Sequence, residues 1–120
     1  MKPHIHAKNS VRKFGGAAEE YQAIHDFIDS SKACVPDMRH RVVLHSAFGI
    51  YIVERVFGTT FRNQDGAIVS TRDVAEEHVI EDLGKIPTLQ DYLDHMELAQ
   101  WMGGPTRTHR FIPMPMGKVD

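Results

Sequence analysis

Histidines on the apolar faces of predicted helices are the feature that most constrains this chain. His25, His45 and His78 each fall within a stripe of apolar residues that recur at helical spacing. Burying an imidazole without a polar partner costs free energy, so a fold that buries these rings must also supply partners for them. The sequence therefore predicts a buried polar cluster inside a helical protein.

The periodicity predicts a mainly α protein, a compact bundle of about four helices with one short β-hairpin and extended N- and C-terminal arms. We expect a single domain over residues 1–120, made of an N-terminal arm (1–16), a helical core (17–102) and an extended tail (103–120). The predicted helices cover residues 17–33, 36–57 and 71–83, with a fourth beginning at 89. Residues 59–70 surround Asn63-Gln64-Asp65-Gly66 and predict the hairpin. Gly49 costs about 1 kcal/mol relative to alanine inside a helix, which indicates a close approach by a neighbouring helix or ligand.

Composition limits the class of protein. A chain of 120 residues that is 42% hydrophobic and 25% charged is typical of one soluble domain. It has no apolar run long enough to span a membrane and no secretory signal pattern at its N-terminus, so we expect a cytoplasmic protein. A single cysteine excludes an internal disulfide framework.

Charge is close to balanced overall but uneven along the chain. The formal net charge of −2 makes nucleic acid an improbable partner. The first sixteen residues carry four basic side chains and no acid, whereas residues 73–82 carry five acids. This pattern predicts one of two arrangements: the basic arm packs on the acidic helix, within the chain or across a homodimer, or it is a solvated, partly mobile end.

The histidines and nearby carboxylates are of the types that bind divalent metals such as zinc, iron, nickel or manganese. The candidate ligands are His25, His45 and His78, with His6 as a fourth. Asp26, Asp29 or Asp82 would orient the rings or serve as ligands, and we assign Asp26 and Asp82 as the orienting or acid/base groups. No His-Glu-x-x-His or paired Cys-x-x-Cys motif accompanies them, so a metal-free hydrogen-bond network is the alternative.

The order His6, His25-Asp26, Asp82 resembles the His, His-Asp, Asp signature of the HD superfamily of helical, metal-dependent phosphohydrolases. In such a site the metal would generate hydroxide from a bound water. Arg39 or Arg41 could then neutralise a phosphate of the substrate. The preferred function is therefore a small metal-dependent hydrolase that acts on a phosphorylated or nucleotide-like small molecule. The alternative is a non-catalytic accessory or inhibitor protein that works through protein–protein contacts and dimerises through its arms.

Several short sequence motifs, taken in their order along the chain, also resemble a family of small, uncharacterised bacterial and phage proteins classed only as a domain of unknown function. The resemblance covers about residues 3–95. The motifs that carry it are Pro3-His4-Ile5-His6-Ala7-Lys8, Lys13-Phe14-Gly15-Gly16, Ile24-His25-Asp26, Ser31-Lys32-Ala33, Arg39-His40-Arg41 with His45, Glu54-Arg55-Val56-Phe57-Gly58, Glu77-His78-Val79 and Asp82-Leu83-Gly84-Lys85-Ile86-Pro87-Thr88. It implies a bacterial or phage source and no established activity.

Overall fold

A computed structural model of the chain describes residues 1–103. Within these residues the protein has six α-helices and one two-stranded antiparallel sheet, which confirms the mainly α fold with one hairpin but exceeds the four helices predicted. The elements are α1 (Pro3–Phe14), α2 (Glu19–Ile28), α3 (Arg41–Leu44), α4 (Ala47–Phe57), β1 (Thr60–Arg62), β2 (Ile68–Ser70), α5 (Thr71–Leu83) and α6 (Leu89–Leu93). Short 3₁₀ turns cover Ser30–Ala33, Met38–His40 and Gln100–Met102.

The chain divides into two compact units, one from Met1 to Gln90 and a second that begins at Asp91. The tail predicted over residues 103–120 lies outside the described residues from residue 104 onward. No helix among residues 1–103 is long and apolar enough to cross a membrane.

The predicted N-terminal arm is wrong, because these residues form helix α1, which packs against α2 and α5. Pro3 opens the helix at a position where its missing N–H costs nothing. The inner face of α1 is made by His6, Ala7 and Ser10, which an apolar pattern does not mark. The predicted contact between the basic segment and the acidic helix is confirmed within the chain, where Lys13 Nζ lies 3.0 Å from Glu77 Oε1.

The second predicted helix is broken in two at His45 and Ser46. Ser46 adopts an extended backbone and its Oγ accepts a hydrogen bond from the Gly49 N–H at 3.0 Å, so it caps α4. A Cβ at position 49 would lie 2.0 Å from the Leu44 carbonyl oxygen, which confirms the close approach and identifies the neighbour as the end of α3. Helix α4 is not buried on all sides, since Phe48 is 50% exposed.

The hairpin and α5 follow the prediction closely. Ser70 caps α5 by accepting from the Asp73 N–H, and the helix ends at Gly84, whose φ of 77° is in the left-handed region. The side chain of Asn63 ties the turn to α1 by donating to the Phe14 carbonyl at 3.0 Å. The strands pair as Thr60 with Ser70, Phe61 with Val69, and Arg62 with Ile68.

The core of the first unit has an apolar part and a polar part on the same helices. The buried apolar side chains are Ala7, Tyr21, Ile24, Ile28, Leu44, Ile50, Val53, Val69, Val74, Ala75 and Val79. The inward faces of α1, α2 and α5 also carry His6, His25 and His78, which are all buried. The interior of this unit therefore holds buried imidazoles on the same helices as its buried aliphatic side chains.

Candidate metal centre

Four side chains from three separate segments converge in this interior. Asp29 follows the last residue of α2, His45 lies at the break between α3 and α4, and His78 and Asp82 lie on α5. One donor atom of each side chain lies within 4.8 Å of the donor atoms of the other three. His45 and His78 are fully buried, Asp29 is 6% exposed, and the Asp82 side chain is 1% exposed.

Local sequence explains how these side chains come to face one another. His78 and Asp82 are four residues apart on α5, so they lie one above the other on the same helix face. Asp29 stands four residues after His25 and continues the inward face of α2 in the same way. The helical conformation is interrupted at His45 and Ser46, because α3 ends at Leu44 and Ser46 caps α4. His45 lies at this interruption and is fully buried.

The distances within this group match the edges of a metal coordination polyhedron. His45 Nε2 lies 3.0 Å from Asp82 Oδ2 and 3.3 Å from Asp29 Oδ1. His78 Nε2 lies 3.4 Å from both Asp29 Oδ1 and Asp82 Oδ2. A tetrahedral zinc site with bonds of ~2.0–2.1 Å has ligand–ligand edges of about 3.3–3.4 Å. Three of these four distances lie in that range and the fourth is 0.3 Å shorter, so the four donors are close enough together to hold one cation.

The electrostatics of the group also favour a cation. Burial would raise the pKa of Asp29 and of Asp82, but the hydrogen bonds from the histidines outweigh it and hold both pKa values well below their usual range. Burial lowers the pKa of His45, and the hydrogen bonds with the two carboxylates outweigh this and raise it above the ordinary histidine value. Both carboxylates are therefore ionised, and the positive charges closest to them are a proton on His45 and, beside Asp82, the Met1 amino group and Arg41.

The two carboxylates differ in how their second oxygen is satisfied. Asp82 Oδ1 lies 3.0 Å from the amino group of Met1, 3.2 Å from His6 Nε2 and 3.8 Å from Arg41 Nη2. Asp29 Oδ2 is buried and has no hydrogen-bond partner among residues 1–103. Buried carboxylate oxygens are normally paired, so Asp29 Oδ2 is a candidate to bind a cation or to accept a hydrogen bond from a molecule in the cluster.

His6, the predicted fourth ligand, lies beside the four-residue group. Its ring stacks on that of His78 with centroids 3.7 Å apart and planes inclined by 22°. Its Nδ1 lies 2.6 Å from Glu81 Oε1, and its Nε2 faces the outer oxygen of Asp82. A carboxylate that contacts one nitrogen of a histidine commonly orients the other nitrogen toward a metal. In this protein Glu81 contacts one nitrogen of His6, but the other nitrogen faces Asp82.

His25 contacts His78 and forms no hydrogen bond with Asp29 or Asp82 among residues 1–103. Its Nδ1 is 2.8 Å from His78 Nδ1, and its Nε2 is 2.8 Å from Ser10 Oγ. Burial, together with the nearby His78 and His6 rings, lowers the pKa of His25 to about 3. The ring is therefore neutral at physiological pH, with one nitrogen that carries a hydrogen and one that does not.

Two of the residues assigned from the sequence lie on the surface instead of in the cluster. Asp26 is exposed and accepts a hydrogen bond from Gln22 Nε2 at 3.0 Å, because it lies about 100° round the helix from His25. Arg39 has an 85% exposed side chain and pairs with Asp37 at 2.7 Å. Arg41 does reach the edge of the site, with its side chain 19% exposed.

Four residues near the cluster were not assigned from the sequence. The first is Asp29, which the sequence analysis names as a possible ligand but does not assign, because it assigns Asp26. The His-x-x-x-Asp spacing of His78 and Asp82 recurs at His25 and Asp29, and this spacing indicates Asp29. The other three are Ser10, Glu81 and the buried His40, whose ring contacts that of His45. Ser10 and Glu81 carry no such spacing signal, since each depends on a contact between residues far apart along the chain, whereas His40 lies five residues before His45 and contacts it across the short helix α3.

Searches of curated proteins and of solved structures found no match to this chain. A family model matches residues 1–102, which include every residue of the cluster. The chain therefore belongs to the DUF6915 family, a domain of unknown function.

Proposed function

We propose that this protein binds a divalent metal ion through Asp29, His45, His78 and Asp82. The observation that carries the proposal is the convergence of two imidazole and two carboxylate donors in a buried site, with neighbouring donors 3.0–3.4 Å apart. Zinc is the first candidate among zinc, iron, nickel and manganese, because these spacings suit a tetrahedral ion with nitrogen and oxygen ligands.

A purely hydrogen-bonded network satisfies the same atoms less well. His78 Nε2 lies equally far from Asp29 Oδ1 and Asp82 Oδ2, and one hydrogen on that nitrogen can point well at only one of them. His45 Nε2 faces the same two carboxylates. A cation at the centre of the group would instead satisfy all four donors at once, and it would offset the cost of burying two negative charges.

The test is elemental analysis of protein purified without a metal-affinity tag, followed by zinc titration of the chelator-treated protein. We expect about one zinc per chain in the wild type, and binding far below this in His45→Gln and His78→Gln. His4→Gln is the matched control, because His4 is exposed on α1 and its loss removes an imidazole from outside the cluster. Protein that holds no metal, and whose melting temperature ignores both chelator and zinc, would refute the proposal and favour the non-catalytic accessory role.

One observation favours a second candidate function, hydrolysis of a phosphorylated or nucleotide-like small molecule. Arg41 Nη2 lies 3.8 Å from Asp82 Oδ1 and its side chain is partly exposed, so a guanidinium stands between the cluster and solvent. A guanidinium there suits a substrate phosphate, and a zinc ion that took up a water as a fifth ligand beside its four side-chain ligands would supply hydroxide.

This second candidate is tested with the zinc-loaded protein and p-nitrophenyl phosphate as the probe. We expect zinc-dependent turnover that falls about tenfold or more in kcat/KM in Arg41→Gln, since a hydrogen bond to a charged group contributes about 1.5–3 kcal/mol. Arg39→Gln is the control, because Arg39 pairs with Asp37 on the surface. Absence of zinc-dependent turnover, or an equal loss in the two variants, would reject hydrolysis of this probe while leaving the metal site intact.

A further inference from the structure

We propose that His25 is a positioning residue which, held by Ser10, accepts a hydrogen bond from His78 Nδ1 and so presents His78 Nε2 to the metal. The inference rests on the proposed metal site and assigns a role to two residues outside its ligand set. All three side chains are buried, with exposures of 1% or less.

The argument begins with the contact between the two rings. His25 Nδ1 and His78 Nδ1 lie 2.8 Å apart, which is a hydrogen-bond distance, so one of these nitrogens carries a hydrogen and the other accepts it. A neutral imidazole has a hydrogen on only one nitrogen. The direction of this one bond therefore decides whether His78 Nε2 carries a hydrogen or a free lone pair.

Ser10 allows the chain of hydrogen bonds to run in either direction, because a hydroxyl both donates and accepts. When Ser10 Oγ accepts from His25 Nε2–H, His25 Nδ1 must accept from His78 Nδ1–H, and His78 Nε2 is free to bind a cation. A serine hydroxyl inside a helix can then donate to a carbonyl of the preceding turn. When Ser10 donates instead, His78 Nε2 carries the hydrogen and faces the carboxylates. A metal bound at Nε2 selects the first direction.

The competing assignment is that His25 is itself a ligand. The imidazoles of His6, His25 and His78 also lie close enough together to hold a cation. That group contains no carboxylate, and His25 would have to give up its contact with His78 Nδ1 to bind through the same nitrogen. The contacts with Ser10 and His78 engage both nitrogens of His25, which is the pattern of a group that orients a ligand.

The experiment compares two substitutions of nearly equal shape, His25→Asn and His25→Leu. Asparagine keeps an acceptor at the position of Nδ1, and leucine does not. In a competition titration against a chromophoric zinc chelator, we expect the leucine variant to bind zinc about 10–100-fold more weakly than the wild type, as is usual for loss of a group that orients a ligand. We expect His25→Asn to restore most of that affinity, and Ser10→Ala to weaken binding in the same direction.

A spectroscopic measurement on the wild type keeps the inference testable if a variant fails to fold. Long-range ¹H–¹⁵N spectra of the zinc-loaded protein should show His78 with its hydrogen on Nδ1 and His25 with its hydrogen on Nε2. Substitution with ¹¹³Cd should give couplings to His45 and His78 but none to His25.

The outcomes separate this inference from the proposed function. Stoichiometric zinc binding in the wild type, with equal affinities in His25→Asn and His25→Leu or with cadmium coupling to His25, would overturn the positioning role and leave the metal centre standing. A wild type that binds neither zinc nor cadmium would overturn both.

Discussion

Replacing Asp29 with asparagine should remove the stabilisation that zinc gives this protein while leaving the metal-free protein folded. The substitution replaces one of the two carboxylate donors with a neutral amide, whose oxygen is a much weaker zinc ligand, and removes one of the two negative charges in the cluster. Without metal it weakens the contacts of Asp29 with His45 and His78, but Asp82 still pairs with both rings. Loss of a buried pair costs about 3–5 kcal/mol, and we expect about 2 kcal/mol here because the unpartnered Asp29 Oδ2 loses its charge at the same time.

The effect of zinc follows from linkage between binding and unfolding. Free zinc at 100 times its dissociation constant stabilises the wild type by about 2.7 kcal/mol. In a domain of this size that is a rise in melting temperature of about 10 °C. A variant whose affinity is a hundredfold weaker gains only about 0.4 kcal/mol at the same free zinc concentration.

Thermal unfolding followed by circular dichroism, with and without buffered zinc, measures both quantities. Asp26→Asn is the matched control, since Asp26 lies on the exposed face of the same helix and should keep the full shift. If Asp29→Asn shows the same zinc-induced rise as the wild type, Asp29 is not a ligand and the proposed coordination is wrong.

Three further predictions concern the metal-free protein. Because the pKa of His25 is about 3 in the folded state and about 6.5 in the unfolded state, the stability it contributes is fully present above about pH 6.5 and is lost as pH falls. Urea unfolding in chelator should show that acidification to about pH 4 costs the wild type about 3 kcal/mol more than it costs His25→Asn, because the raised pKa of His45 acts in the opposite direction in both proteins; equal losses would contradict the burial of a neutral His25 ring. Ile28→Ala should cost about 3 kcal/mol in the same assay and Ile80→Ala under about 1 kcal/mol, since Ile28 is 1% exposed and Ile80 is 41% exposed; equal costs would place the core elsewhere. Gly49→Ala should cost about 3 kcal/mol because the new methyl group collides with the Leu44 carbonyl, and a neutral effect would show that the joint between α3 and α4 can relax.

The sequence predicted the parts of the fold that are governed by local signals. Helix α5 has a serine cap at Ser70 and a glycine stop at Gly84, and the hairpin before it has a glycine-containing turn, so their positions follow from short-range rules. Helix α1 was missed because its inner face is built from His6 and Ser10, whose burial depends on partners from α2 and α5. The break at Ser46 was missed because an apolar run continued through it.

The sequence predicted which histidines are buried together, but not which of them face the carboxylates. Burial of His25, His45 and His78 followed from their apolar neighbours, and their convergence could be expected once three helices shared one core. Which ring faces the carboxylates and which stands behind could not be predicted, because it depends on contacts across helices such as that between His25 and His78. The choice of Asp26 over Asp29 was an avoidable error of helical geometry, since only the latter shares the face of His25.

The long separation of the donors along the chain has a consequence for how the protein would survive in a cell. His45 and Asp82 are 37 residues apart, and Asp29 and His78 are 49 residues apart. An ion held between them would act as a removable cross-link that closes long loops, a task that Cys34, the single and unpaired cysteine, does not perform. Resistance to proteases would then rise and fall with the supply of the ion, with no change in redox conditions.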